Sequence, residues 1–310
     1  MNKILVTPRS LTRDGSPQLE LLERAGFGVV FSSPGRLPTE EELKRLLPEC
    51  VGYLAGVERI TDSVLSAAPN LQVISRYGVG TDNIDLEAAR RRNIEIRHAR
   101  GANARGVAEL TLGLILACLR SIPLSSARLR AGQWERRLAK ELVGETVGLV
   151  GCGSVGQIVA SMATAIGATV VAFDPFPEAG FSPGPGFRFA SLEEVLRTSL
   201  VVSLHCPPLE NGRPMIDSPE LATMRFGAIL INTARSGLVD DEAVLAALEG
   251  GKLLAYATDV FDKEPPAPSK LLAHERVIAT PHIGAYTEQS TARVTRLAVQ
   301  NLLESLRAAP

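Results

Sequence analysis

The sequence predicts an α/β protein of two doubly wound parallel-sheet domains, one inserted into the other. Three observations carry this. Short apolar runs alternate with amphipathic segments through roughly the first hundred residues, a second such series begins at Thr146, and the last segment, 288–306, reads as one long amphipathic helix. That helix is expected to rejoin the first series, so that residues 1–100 and 283–310 form a discontinuous domain around 101–282.

In order, the first series reads as strand 3–7, helix 18–25, strand 29–31, helix 39–47, strand 51–55, helix 61–67 capped by Thr61, strand 71–75, helix 86–92 and strand 94–97. A long helix apolar on most sides spans 104–120. The second series runs strand 146–150, helix 155–166 and strand 169–173. Next come a Pro- and Gly-rich surface loop 175–188, helix 192–197 and strand 200–204. Further βα units end at strands 228–231, 253–258 and 277–279.

Composition narrows the function classes. With 310 residues the chain has length for two cores, and 45% hydrophobic with 22% charged residues is ordinary for a globular enzyme. A net charge of -1 gives no electrostatic reason for nucleic acid or an anionic membrane as partner. The longest apolar stretch, 110–119, is too short to span a bilayer, and the first residues read as a strand rather than a secretory leader. A cytoplasmic protein is expected. Cys50, Cys118, Cys152 and Cys206 show no metal or redox spacing and read as reduced packing thiols. No metal site is expected.

Gly151-Cys152-Gly153-Ser154-Val155-Gly156 follows a predicted strand and opens a predicted helix, the context that a dinucleotide fingerprint requires. Gly151 suits the tight turn, Gly153 the approach of backbone to a pyrophosphate, and Gly156 close helix–strand packing. Phosphates would sit on the free N–H groups at the helix start. Asp174, ending the next strand, suits a ribose diol and would repel a 2′-phosphate, so NAD is expected over NADP.

Arg235, Glu264 and His282 each fall just after an apolar strand in the later part of the chain. Residues past the carboxyl ends of parallel strands face a shared crevice. Arginine matches a carboxylate with a fork that keeps its charge. Histidine titrates near neutrality and can move a proton, and a carboxylate on its far ring nitrogen orients it. Together they point to hydride transfer between NAD and a 2-hydroxy acid. The bland reading is solvated loop charges and a packed histidine; His98, His205 and His274 show that a lone His is ordinary here.

These motifs resemble the D-isomer-specific 2-hydroxyacid dehydrogenase family, in particular its short phosphoglycerate-dehydrogenase-like members. The stretches that carry the resemblance are Ile74-Ser75-Arg76-Tyr77-Gly78-Val79-Gly80-Thr81-Asp82-Asn83-Ile84-Asp85, Gly101-Ala102-Asn103-Ala104-Arg105-Gly106-Val107-Ala108-Glu109, the fingerprint, His205-Cys206-Pro207, 232–240, 259–265 and Pro281-His282-Ile283-Gly284. The resemblance implies a Rossmann nucleotide domain inserted into a flavodoxin-like substrate domain. It implies the trio Arg235, Glu264 and His282, and a substrate site of Arg76, Val79, Gly80, Asn103, Arg235, His282 and Tyr286. It adds to the cofactor site His205, Cys206, Pro207, Thr233, Ala234, Arg235, Asp259 and His282, beside Gly151, Gly153, Ser154, Val155, Gly156 and Asp174. A 2-oxo or 2-hydroxy acid as small-molecule partner and a homodimer through the nucleotide domain are also implied.

Three departures stand out. Ser236 replaces the glycine usual after the catalytic arginine, and Tyr286 stands where smaller residues are common. The loop Ala55-Gly56-Val57-Glu58-Arg59 lacks the arginine near Ala55 that phosphoglycerate-specific members carry, although Arg100 offers another cation. Some relatives act instead as NAD(H)-sensing corepressors, the alternative reading.

Overall fold

The computed structural model describes residues 1–308, in two compact units. The first comprises Met1–Asn103 with the chain from Glu288 onward, and the second Ala104–Thr287. The crossings thus fall slightly beyond the expected 100 and 283. Ala104 opens a helix of the second unit, and the backbone N–H groups of Ile283 and Gly284 are bonded to Asp259 of that unit.

In the first unit the elements run β1 (Lys3–Val6), α1 (Arg9–Asp14), α2 (Glu20–Arg24), β2 (Gly28–Phe31), α3 (Glu40–Leu46), β3 (Cys50–Ala55), α4 (Asp62–Ser66), β4 (Val73–Arg76), α5 (Leu86–Arg91) and β5 (Glu95–His98). The sheet is parallel, in the order β2-β1-β3-β4-β5. Every residue of β3 and β4 is buried, because helices cover both faces of the sheet. Thr61 and Asp85 cap α4 and α5 by accepting from the N–H of Val64 and Ala88.

The second unit holds α6 (Ala104–Arg120), α7 (Ile122–Arg130), β6 (Thr146–Val150), α8 (Ser154–Ile166), β7 (Thr169–Phe173), β8 (Phe187–Phe189), α9 (Leu192–Thr198) and β9 (Val201–Leu204). It continues with α10 (Ser218–Thr223), β10 (Ala228–Asn232), α11 (Asp241–Glu249), β11 (Leu253–Thr258) and β12 (Val277–Ala279). Its parallel sheet has the order β12-β11-β10-β9-β6-β7-β8. The core on one face joins Leu114, Ile115 and Cys118 of α6 to Val159 and Ala163 of α8 over Leu149 and Ile231. On the other face Val195, Leu221 and Val244 cover Val150, Val202 and Leu230.

The final helix, α12 (Glu288–Ala308), returns to the first unit. It lays Ala298, Val299 and Leu302, spaced for one helical face, on the core of Ile4, Leu54 and Val73.

Two segments differ from the sequence reading. The surface loop expected at 175–188 holds as far as Gly186, and its last two residues enter β8, which pairs in parallel with β7 and carries edge-to-face contacts of Phe187 with Phe181 and Phe189. Residues 122–130, left unassigned by periodicity, form α7, a helix with no buried residue.

Candidate active site

One register row organises the second unit. Phe173, Val150, Leu204, Asn232, Thr258 and Ala279 are paired across β7, β6, β9, β10, β11 and β12, so the six strands end together. The next residues along the chain are Asp174, Gly151, His205, Thr233, Asp259 and Thr280. Most candidate residues of this unit lie at or just beyond that row, while Glu264 and Tyr286 follow it by six and seven residues. Strand order reverses between β6 and β9, the point at which an open sheet leaves a crevice.

The three fingerprint glycines answer three local demands. Gly151 has φ +94°, and a Cβ there would lie 2.6 Å from the carbonyl oxygen of His205. A Cβ on Gly156 would lie 2.3 Å from the Gly151 carbonyl, so α8 can start against the loop only with glycine. A Cβ on Gly153 would meet nothing within 4 Å, which leaves space for a ligand's phosphates in front of α8. Asp174 accepts from the N–H of Cys152 at 2.7 Å and of Phe176 at 2.8 Å, tying the carboxylate to the fingerprint loop. This donor set fits NAD.

His205 sits across the switch point and shares a 3.0 Å hydrogen bond from its Nε2 with Ser203. Burial pushes its imidazole down to about 4, so it stays neutral near pH 7. Burial likewise raises the Cys152 and Cys206 thiols, to about 12 and about 11, which suits packing rather than chemistry.

The loop bearing Arg235 is shaped by buried Asn232. Its side-chain oxygen accepts from the N–H of Ala234 and its amide donates to the Arg235 carbonyl at 2.8 Å. Thr233 is fixed by a 2.9 Å hydroxyl–hydroxyl bond to Thr111 on α6. Arg235 follows half-buried, with Nη1 on the Ala234 carbonyl at 2.7 Å.

His282 and Glu264 meet. The ring Nδ1 lies 2.7 Å from Glu264 Oε1, and both side chains are part-exposed. With Nδ1–H donating to the carboxylate, Nε2 faces away from Glu264 and is the atom left to handle a proton. The turn that presents His282 is held by Asp259, which is 2% exposed and accepts from the Thr280 hydroxyl and from the N–H groups of Ile283 and Gly284 at 2.6, 2.8 and 2.7 Å. Asn232, Thr111 and the clamping use of Asp259 had no motif of their own. A short polar side chain closing a strand, as in Asn232 and Asp259, is the signal that could have marked them.

Tyr286 belongs to this unit and is largely exposed. Arg76, Val79, Gly80 and Asn103 belong to the first unit, where Arg76 closes β4 and Val79 is exposed in the following loop. Among the described residues no cluster of His, Cys, Asp or Glu has the make-up of a metal site, and no single helix is long and apolar enough to cross a membrane.

Residues 112–284 match the family model of the NAD binding domain of D-isomer specific 2-hydroxyacid dehydrogenases. The chain is 38% identical to the hydroxypyruvate reductase of Thermotoga maritima over 86% of its own length and 88% of that protein's. It is 36% identical to the D-3-phosphoglycerate dehydrogenase of Methanocaldococcus jannaschii over 99% of its own length, but spans only 58% of that longer chain. Among solved structures, the TT0316 protein from Thermus thermophilus superposes with a TM-score of 0.89 at 38% identity, covering 98% and 97% of the two chains. The D-lactate dehydrogenase of Aquifex aeolicus, complexed with NAD and lactic acid, gives 0.81 at 26% identity, covering 98% and 97%.

The chain therefore belongs to the D-isomer specific 2-hydroxyacid dehydrogenase family. It is an NAD-dependent oxidoreductase, as the resemblance implied.

Proposed function

We propose that the protein interconverts a D-2-hydroxy acid and its 2-oxo acid in the cytoplasm, with substrates of the hydroxypyruvate, glyoxylate or 3-phosphoglycerate type. One observation carries the mechanism: the Glu264–His282 pair stands beyond the same strand ends as the dinucleotide fingerprint. NADH, when bound, supplies the hydride. Gly151, Gly153 and the first N–H groups of α8 would hold the phosphates, and Asp174 the ribose diol. Arg235 binds and orients the substrate carboxylate with its planar fork. His282 Nε2 gives a proton to the carbonyl oxygen as it becomes a hydroxyl, and takes it back in the oxidative direction. Glu264 keeps the ring in the orientation and tautomer this needs. The resemblance gives the 76–80 loop and Asn103, in the first unit, a part in substrate binding as well.

A homodimer through the second unit is part of the proposal. Ile122 and Leu129 on α7, then Trp134 and Leu138 in the irregular segment after it, are exposed apolar side chains, with Trp134 at 84% and Leu138 at 106%. Such a run is the ordinary mark of a protein interface.

The test is NADH oxidation over a panel of 2-oxo acids. Turnover with at least one small 2-oxo acid is expected. NADH binding without turnover on any of them would leave the corepressor-like reading instead.

A further inference from the structure

The sheet of the first unit also has a switch point, between β1 and β3, where strand order 2-1-3-4-5 reverses and an open α/β sheet takes its ligand. Here the chain has put its own carboxylate there. Glu58, three residues past the end of β3, folds back and is 1% exposed. Its Oε1 accepts from the Gly56 N–H at 2.8 Å, from the Tyr53 hydroxyl at 2.6 Å and from the Thr7 hydroxyl. Thr7 itself follows β1, so the donors come from both sides of the switch. Oε2 is buried with no hydrogen-bond partner, and it lies 2.6 Å from where a Cβ on Gly56 would be, so the fold makes room for it with glycine.

The backbone around Glu58 is tied to the segment that follows the loop expected to hold substrate. The Asn83 amide donates to the Glu58 carbonyl at 2.6 Å, and the Ile60 N–H donates to the Asn83 carbonyl at 2.8 Å. Arg76, buried at the end of β4, opens that loop, and its charge and that of Glu58 act in opposite senses on the Tyr53 hydroxyl. A buried carboxylate is rare unless it is paired or hydrogen-bonded, since loop glutamates ordinarily stay in water, and Glu58 meets that need through Oε1 alone.

We propose that Glu58 is an internal anion filling the switch-point pocket of the first unit, and that it sets the substrate class: 2-oxo acids with a small uncharged tail, the hydroxypyruvate or glyoxylate type, with a phosphorylated tail refused. This rests on the reading that the protein reduces 2-oxo acids. Two effects act together. The carboxylate takes the donors a phosphate would use, and its charge, alongside that of Arg76, leaves no net positive field to attract a second anion.

The experiment compares kcat/KM for hydroxypyruvate and phosphohydroxypyruvate in the wild type and in Glu58→Gln, which keeps the shape and removes the charge. The wild type should prefer hydroxypyruvate by about tenfold or more, and Glu58→Gln should narrow that ratio by about tenfold, chiefly through a lower KM for the phosphorylated acid. NADH binding, a property of the second unit, should be unchanged, and a wild-type far-ultraviolet circular dichroism spectrum with a cooperative urea transition reports that the first unit, which holds Glu58, is folded. Equal use of both acids by the wild type would overturn the proposal whether or not the variant folds, as would an unchanged ratio in a folded Glu58→Gln. A wild type inert with every 2-oxo acid would overturn the underlying reading, and the proposal with it.

Discussion

His282 adopts φ +52°, a left-handed backbone that a residue with a Cβ enters at a cost of about 1–2 kcal/mol. Such strain persists where surrounding bonds over-determine it. Here the bonds are those of Asp259 to both sides of the turn, at Thr280, Ile283 and Gly284. Asp259→Ala is therefore expected to lower kcat by roughly tenfold or more through loss of ring placement, the fractions of an ångström on which proximity depends. It should also cost about 2–3 kcal/mol of stability, since it strips charged acceptors from three donors; urea unfolding followed beside the steady-state kinetics separates the two effects. Asp174 makes a second prediction at this scale. Asp174→Ala should relax the preference for NADH over NADPH, because the carboxylate that repels a 2′-phosphate is gone. Equal efficiency of the wild type with both cofactors would count against that role.

At the scale of elements, the packing of β6, α8 and β9 fixes the cofactor loop. Gly156→Ala should cost about 1–3 kcal/mol by overpacking and should weaken NADH binding, because α8 must shift its N-terminus away from the Gly151 carbonyl. β9 carries a pH response. His205 is held neutral by burial, with a folded pKa lowered to about 4 against an ordinary 6.5. A base depressed in this way binds fewer protons folded than unfolded, so stability falls as pH drops from about 6.5 towards about 4 and is unaffected above that window. Melting curves across this range should show a shallower acid decline for His205→Gln than for the wild type; parallel declines would remove His205 as a source.

Elements with strong apolar periodicity were legible in the sequence. β6, β7, β11, β12 and α6 stand where the pattern put them, because short apolar runs between helical segments mark the strands of a parallel sheet and a long apolar run marks its packed helix. β8 was not legible, since three residues behind a Pro- and Gly-rich loop acquire strand character only by pairing with β7. α7 was not, because its apolar residues face outwards and leave no amphipathic stripe. At the site, the Glu264–His282 pairing was legible from residue chemistry. The Thr111–Thr233 bond joins residues distant in sequence, and the inward turn of Glu58 depends in part on the Thr7 hydroxyl, 51 residues away, which no local pattern encodes.

For the whole molecule, the fingerprint, the Arg235 loop and the Glu264–His282 pair all belong to one contiguous unit, Ala104–Thr287, while the loop 76–80 belongs to the other. Ligand linkage follows. NADH at about a hundredfold its Kd should stabilise the folded chain by about 2.7 kcal/mol, seen as a raised melting temperature, and Gly156→Ala should lose most of that gain. The dimer proposal predicts a mass of two chains by light scattering, and a single chain once Trp134 and Leu138 are both replaced by glutamate, because two buried charges oppose an apolar interface.

The central claim is that His282 moves the proton. Its most direct measurement is kcat for NADH-dependent reduction of a 2-oxo acid in His282→Ala, set beside the NADH dissociation constant of the same variant. Turnover lower by roughly 10²–10⁴-fold is predicted, with NADH binding within a few-fold of wild type, because the fingerprint lies on other strands. Near-normal turnover in a variant that binds NADH normally would contradict the assignment and return the Glu264–His282 pair to the status of a structural contact.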